Sequence, residues 1–139
     1  MNPQKQQSPA DSAHIDVLFI DDSTNLCRAM ELWLNSSGYQ AMTAFTAAQA
    51  EEIALENLPR VVITDIGLPD ASGYEVRQRL QRIDGMEATR FIALSGRRGT
   101  GDPRHAIESG FHSFISKPPD FEELADVLRE CLPDHPAGR

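Results

Sequence analysis

At 139 residues the chain has the length of one ordinary domain with, at most, a tail. Lys and Arg number 13 and Asp and Glu 21, so the net charge is −8, a balance that argues against a nucleic-acid backbone as partner because such binders carry an electropositive face. A 40% hydrophobic content suffices for a buried core, and no apolar run approaches the roughly 18 residues that cross a bilayer.

Residues 1–13 (MNPQKQQSPADSA) are rich in Gln, Pro and Ser and nearly devoid of apolar side chains, which predicts a disordered arm. Short β-branched apolar runs then alternate with amphipathic stretches. Residues 15–20 (IDVLFI) read as a buried strand. Residues 24–37 follow as a helix, with Leu26, Met30, Trp33 and Leu34 on one stripe and Gly38 as its stop. A weaker strand over 39–45 precedes a helix over 46–57. A strand over 61–64 (VVIT) precedes a helix over 74–83. A strand over 91–94 (FIAL) precedes a short helix near 104–109, which Asp102 and Pro103 can start. The last strand, 114–116, precedes a helix over 121–131 with Asp120 as cap. Residues 133–139 (PDHPAGR) cannot continue that helix and are expected to fray as a flexible tail.

Five strands alternating with five helices predict an α/β fold, a doubly wound parallel sheet with helices on both faces. For this size the flavodoxin-like strand order 2-1-3-4-5 is favoured. Ligands in such sheets sit outside the carboxyl ends of the strands, where the order reverses. The first strand ends in Asp21 and Asp22, the third in Asp65, the fourth in Ser95 and the fifth in Lys117. Three converging carboxylates repel and raise one another's pKa, and a hard divalent cation such as Mg²⁺ relieves the repulsion through the oxygen ligands it prefers. A hydroxyl and an ammonium at the adjacent strand ends would then hold phosphoryl oxygens.

Taken singly, each of these residues has a plainer reading: a helix cap for Asp22, a turn for Ser95, a solvated side chain for Lys117. Together, in order, they resemble the receiver domain of bacterial two-component response regulators. The resemblance covers residues 14–132 and is carried by FIDD at the first strand end, ITDIGLPDASG around Asp65, ALSG at Ser95 and FISKP at Lys117. The spacings of 43 residues from Asp22 to Asp65, 30 to Ser95 and 22 to Lys117 match the family.

The resemblance implies specific roles. Asp65 is the phosphoacceptor. Asp22, Asp65 and the backbone carbonyl of Gly67 are direct Mg²⁺ ligands, and Asp21 reaches the ion through water. Lys117 pairs with Asp65 and then with a phosphoryl oxygen, while Ser95 supplies the hydroxyl that follows the phosphoryl group. Phe114 is the aromatic that swings inward as Ser95 moves, and lacking a hydroxyl it couples by packing alone. The Lys117-Pro118 bond is expected to be cis, and Pro69 and Gly73 shape the turn after Asp65. Gly67 has no side chain, which leaves the phosphoryl site open to water and predicts a fast turnover of the aspartyl phosphate. Cys27 is expected near the site edge and Cys131 near the opposite one, so geometry disfavours a disulfide.

The segment 96–101 (GRRGTG) departs from the pattern and predicts a mobile loop with a shortened fourth helix. Arg97 and Arg98 stand there as solvated residues or contacts for an acidic partner, on the family's usual output face. Pro119 replaces a more common apolar residue.

The function implied is a cytoplasmic phosphoacceptor signalling domain, not a turnover enzyme. It would be loaded by a sensor histidine kinase or a histidine phosphotransfer protein and would act on a downstream protein target as a monomer or a weak phosphorylation-dependent dimer. No membrane or nucleic-acid partner is expected. Met1 and the polar tails suggest a complete protein rather than one module of a hybrid kinase. The alternative is a degenerate receiver that binds partners without phosphorylation, although such domains usually lack an acid or the lysine. An aspartyl-phosphate hydrolase would need a second acid where Gly67 stands, and a flavin carrier would need a less acidic loop than DDSTNL.

Overall fold

The computed structural model describes residues 14–96 and 102–138. The expected arm over 1–13 and the loop over 97–101, with Arg97 and Arg98, lie outside the described residues. The chain runs β1 (Val17–Ile20), α1 (Thr24–Ser36), β2 (Ala41–Ala44), α2 (Ala47–Asn57), β3 (Val61–Asp65), α3 (Gly73–Gln81), β4 (Arg90–Ser95), α4 (Pro103–Glu108), β5 (Ser113–Ser116) and α5 (Phe121–Cys131). All neighbouring strands pair in parallel, in the order β2-β1-β3-β4-β5. The predicted flavodoxin-like topology is therefore the one observed.

Strand alternation explains the two-sided core. Val17 and Phe19 of β1, with Val61 and Ile63 of β3, face Met30 and Leu34 of α1 and Leu124 and Leu128 of α5. Leu18 and Ile20, with Val62 of β3, face Ala50 and Ala54 of α2, Val76 and Leu80 of α3 and Ala106 of α4. Successive side chains leave a strand on opposite faces, so a fully apolar run is what a doubly covered strand requires.

Each of the five helices starts on a side-chain cap. Ser23, Thr46, Ser72, Asp102 and Asp120 all accept backbone N–H bonds from the first turns they precede. The caps predicted at Asp102 and Asp120 are among them. The helices therefore begin at the edge where the strands end, which sets their N-termini around the carboxylate cluster. Gly38, at φ +100°, turns the chain out of α1 as expected.

The segment after Leu132 differs from the expected frayed tail. Pro136–Gly138 forms a 3₁₀ turn, and His135 Nε2 lies 2.8 Å from Asp16 Oδ2, which also accepts the Gln40 N–H at 2.8 Å. The His135 ring lies tilted against Tyr39 with centroids 4.8 Å apart, and Ala137 packs against the α1–α5 face. Side-chain contacts 119 residues apart in sequence supply what local propensity lacks. Among the described residues, no helix is long and apolar enough to cross a membrane.

Candidate functional site

β1 and β3 pair directly, with Ile20 opposite Thr64, so Asp21 leaves the sheet beside Asp65. The Asp21 N–H bonds to Ala44 O across to β2, and the Ile66 N–H bonds to Leu94 O across to β4. On the far side the Lys117 N–H bonds to Ser95 O at 2.8 Å. Backbone pairing thus fixes all four strand ends before any side chain is considered.

The carboxylates of Asp21, Asp22 and Asp65 each offer an oxygen within 4.8 Å of the others. Asp21 is fully buried and Asp65 nearly so, while Asp22 is exposed. Lys117 Nζ stands 2.5 Å from Asp21 Oδ2 and 3.0 Å from Asp65 Oδ2, reaching back across the mouth of the cluster. The remaining oxygens take backbone donors, Ser23 N–H on Asp21 Oδ1 at 2.9 Å and Gly67 N–H on Asp65 Oδ1 at 3.1 Å.

Burial pushes the Asp21 carboxyl above the usual range, and the bond and charge of Lys117 only partly offset this. Burial also pulls the Lys117 ammonium down, but its contacts with Asp21 and Asp65 outweigh it and the net shift is upward. Beneath the cluster, Cys27 donates its thiol to Asp21 O at 3.2 Å, and burial followed by the Asp21 charge raises its pKa to about 11. Cys27 is therefore an uncharged floor to the site, not a nucleophile.

The donor set fits a hard divalent cation. It consists of oxygens alone, and Asp21 Oδ2 is buried with no hydrogen bond, held only by its ion contact to Lys117. Asp21, Asp22, Asp65 and the Gly67 carbonyl are the groups available to such an ion.

The expected residues separate into two groups. Asp21 and Asp65 meet Lys117 directly, and Asp22 offers an oxygen within 4.8 Å of theirs. Ser95 ends β4 nearly buried, with its hydroxyl donating to Gly96 O at 3.2 Å. Phe114 is half-buried and packs on the α2–α4 side of the sheet with Tyr74. Gly67 is exposed, and a Cβ there would meet nothing within 4 Å. The Lys117-Pro118 bond is cis. Both cysteines are free, as expected.

Sequence reasoning missed three features. Lys117 grips Asp21 as closely as Asp65, which the strand order alone implies only if the lysine extends across two strands. Asp70, in the turn after Asp65, accepts the Ala47 N–H at 2.8 Å and the Ala48 N–H at 3.1 Å, and the first of these bonds lowers its pKa. The loop after Asp65 is thereby tied to α2. Gly73 is more than a turn residue, because a Cβ there would stand 2.7 Å from Asp65 O and 2.9 Å from Ile66 Cα.

Residues 17–129 match the response regulator receiver domain family. The transcriptional regulatory protein KdpE of Mycobacterium tuberculosis is 39% identical over 116 residues, 84% of this chain and 50% of that protein. An uncharacterized 14.6 kDa protein of Leptolyngbya boryana is 27% identical over 121 residues, 86% of this chain and 92% of that one. The chain spans about half the length of the first curated relatives it matches. Among solved structures, the chemotaxis protein CheY4 of Vibrio cholerae superposes with a TM-score of 0.76 at 23% identity, covering 86% of this chain and all of that one, a likeness of fold.

The contact at Gly73 yields a test. Gly73→Ala is expected to lower stability by about 1–3 kcal/mol, since neither backbone neighbour can yield cheaply. Urea unfolding measures this, and an unchanged midpoint would show that the Asp65 loop tolerates displacement.

Proposed function

Because the chain belongs to the response regulator receiver domain family, we propose that Asp65 is its phosphoacceptor and that the chain relays a phosphorylation signal from a histidine kinase or histidine phosphotransfer protein. The observation that carries this reading is the pairing of Asp65 Oδ2 with Lys117 Nζ at 3.0 Å beside two further carboxylates.

In the proposed reaction an Asp65 oxygen attacks the phosphorus of a phosphohistidine. The new O–P bond forms as the P–N bond breaks, and the imidazole departs with the bonding pair. Asp21, Asp22, Asp65 and the Gly67 carbonyl would hold Mg²⁺, which when bound supplies positive charge to the phosphoryl oxygens. Lys117 is placed to exchange its contact with Asp65 for a phosphoryl oxygen at little cost in position. Ser95 can turn its hydroxyl from the Gly96 carbonyl toward the same group, and Phe114 lies in the core behind it. This chemistry places the chain among signalling domains that are loaded and unloaded, rather than enzymes that turn over a substrate. The downstream target is a protein, and the cytoplasm is the compartment where kinase and acceptor meet.

The test is to incubate the protein with Mg²⁺ and acetyl phosphate, and separately with a phosphohistidine protein, and to weigh it. One added phosphoryl group, absent in Asp65→Asn and blocked by a chelator, is the expected outcome. No adduct with either donor would favour a receiver that binds its partners unphosphorylated. The open space above Gly67 adds a second expectation: Gly67→Asn, which meets no steric obstacle at Cβ, should lengthen the half-life of the adduct. A longer half-life in the wild type would sink that idea.

A further inference from the structure

α3 contacts the six-residue α4 near its first end and the chain just past its other end. At the first end the Tyr74 ring lies against His105 of α4, with centroids 4.8 Å apart and planes at 48°. At the other end, one helical turn along the same face, the Arg77 guanidinium closes on Gly110, where a Cβ would stand 2.9 Å from Cζ. Gly110, at φ +107°, is the residue type that admits both that backbone and that approach. Arg77 Nε is buried there with no hydrogen bond, while its Nη1 donates to Gln81 Oε1 at 3.3 Å.

Tyr74 is also the immediate neighbour of Gly73, whose Cα sits so close to Asp65 O that a methyl group could not enter. The Gly73 N–H bonds to Ile66 O at 2.7 Å. A displacement of the Asp65 loop therefore has no slack before it reaches the first turn of α3. From there the Tyr74 ring meets His105 on one side and the edge of Phe111 on the other, at 5.7 Å and 83°. Its phenol, half-buried, has its pKa raised by burial and by the charge of Asp102, the cap of α4. Phe114 shares this cluster.

We propose that Tyr74 is a positioning residue that carries the state of Asp65 to α4, through the gapless Gly73–Asp65 contact on one side and the tilted Tyr74–His105 ring contact on the other. The proposal rests on the phosphoacceptor reading of Asp65. The Tyr74–His105 contact is one of ring packing, so the aromatic body of Tyr74 matters and its hydroxyl does not.

The experiment follows the Ile107 methyl resonance on α4 while fluoroberyllate, a phosphoryl mimic, is added with Mg²⁺. Uptake of the mimic is followed independently by its fluorine signal. Wild type and Tyr74→Phe should show a shift of the Ile107 resonance. Tyr74→Leu and His105→Ala should bind the mimic yet show less than half of that shift. His105 is exposed, so its replacement tests the ring contact without disturbing the core. A full Ile107 response in His105→Ala, or in a folded Tyr74→Leu, overturns the relay while leaving the phosphoacceptor reading intact. Failure of the wild type to take up fluoroberyllate overturns both.

Discussion

Lys117 is the counter-charge on which the carboxyl edge of the sheet depends. Parallel pairing of β1 and β3 delivers Asp21 and Asp65 side by side, and Asp22 follows in the chain. Like charges some 4 Å apart repel by about 4 kcal/mol at an effective dielectric of 20. The ammonium, in contact with both Asp21 and Asp65, offsets part of that repulsion. It does so with a single charge against three, so the cluster keeps an excess of negative charge available to a cation. In the proposed reaction, a phosphoryl group approaching Asp65 would otherwise meet an anionic pocket that rejects it.

The surrounding structure limits how those charges can relax. Asp65 ends a strand paired on both sides, and the loop after it is held by Asp70 on the α2 N-terminus and by Gly73 against its own backbone. Below, Cys27 gives its thiol to the Asp21 carbonyl and stays protonated because burial and the nearby acid raise its pKa. Lys117, on the chain just past β5, has its backbone tied to Ser95 O. The long lysine side chain is the most adaptable member of the group, since its contacts are ionic and its neighbours are fixed. Buried acids at Asp21 and Asp65 beside one long cation are what the proposed exchange of Lys117 from Asp65 to a phosphoryl oxygen requires.

Much of this was legible in the sequence, for physical reasons. The fold followed from short β-branched runs alternating with amphipathic stretches, and the edge of the site followed from which polar residues stood at the ends of those runs. Element boundaries shifted by a residue or two because caps such as Ser72 start a helix before its apolar stripe begins. What stayed hidden depended on contacts between distant parts of the chain. Asp70 reads as a turn residue until α2 is placed beside it. His135 reads as part of a loose tail until Asp16, at the edge of β1, accepts its bond. The reach of Lys117 to Asp21 likewise depends on a side-chain path across two strands, which no spacing encodes.

If Lys117 and a divalent cation answer the same electrostatic need, they compete for Asp21 Oδ2 and Asp65 Oδ2. Calorimetric titration of Mg²⁺ into the wild type and into Lys117→Met measures that competition directly. The account predicts tighter binding without the ammonium, by roughly tenfold, or about 1.4 kcal/mol. Equal or weaker Mg²⁺ binding by Lys117→Met, or no binding by either protein, would contradict it.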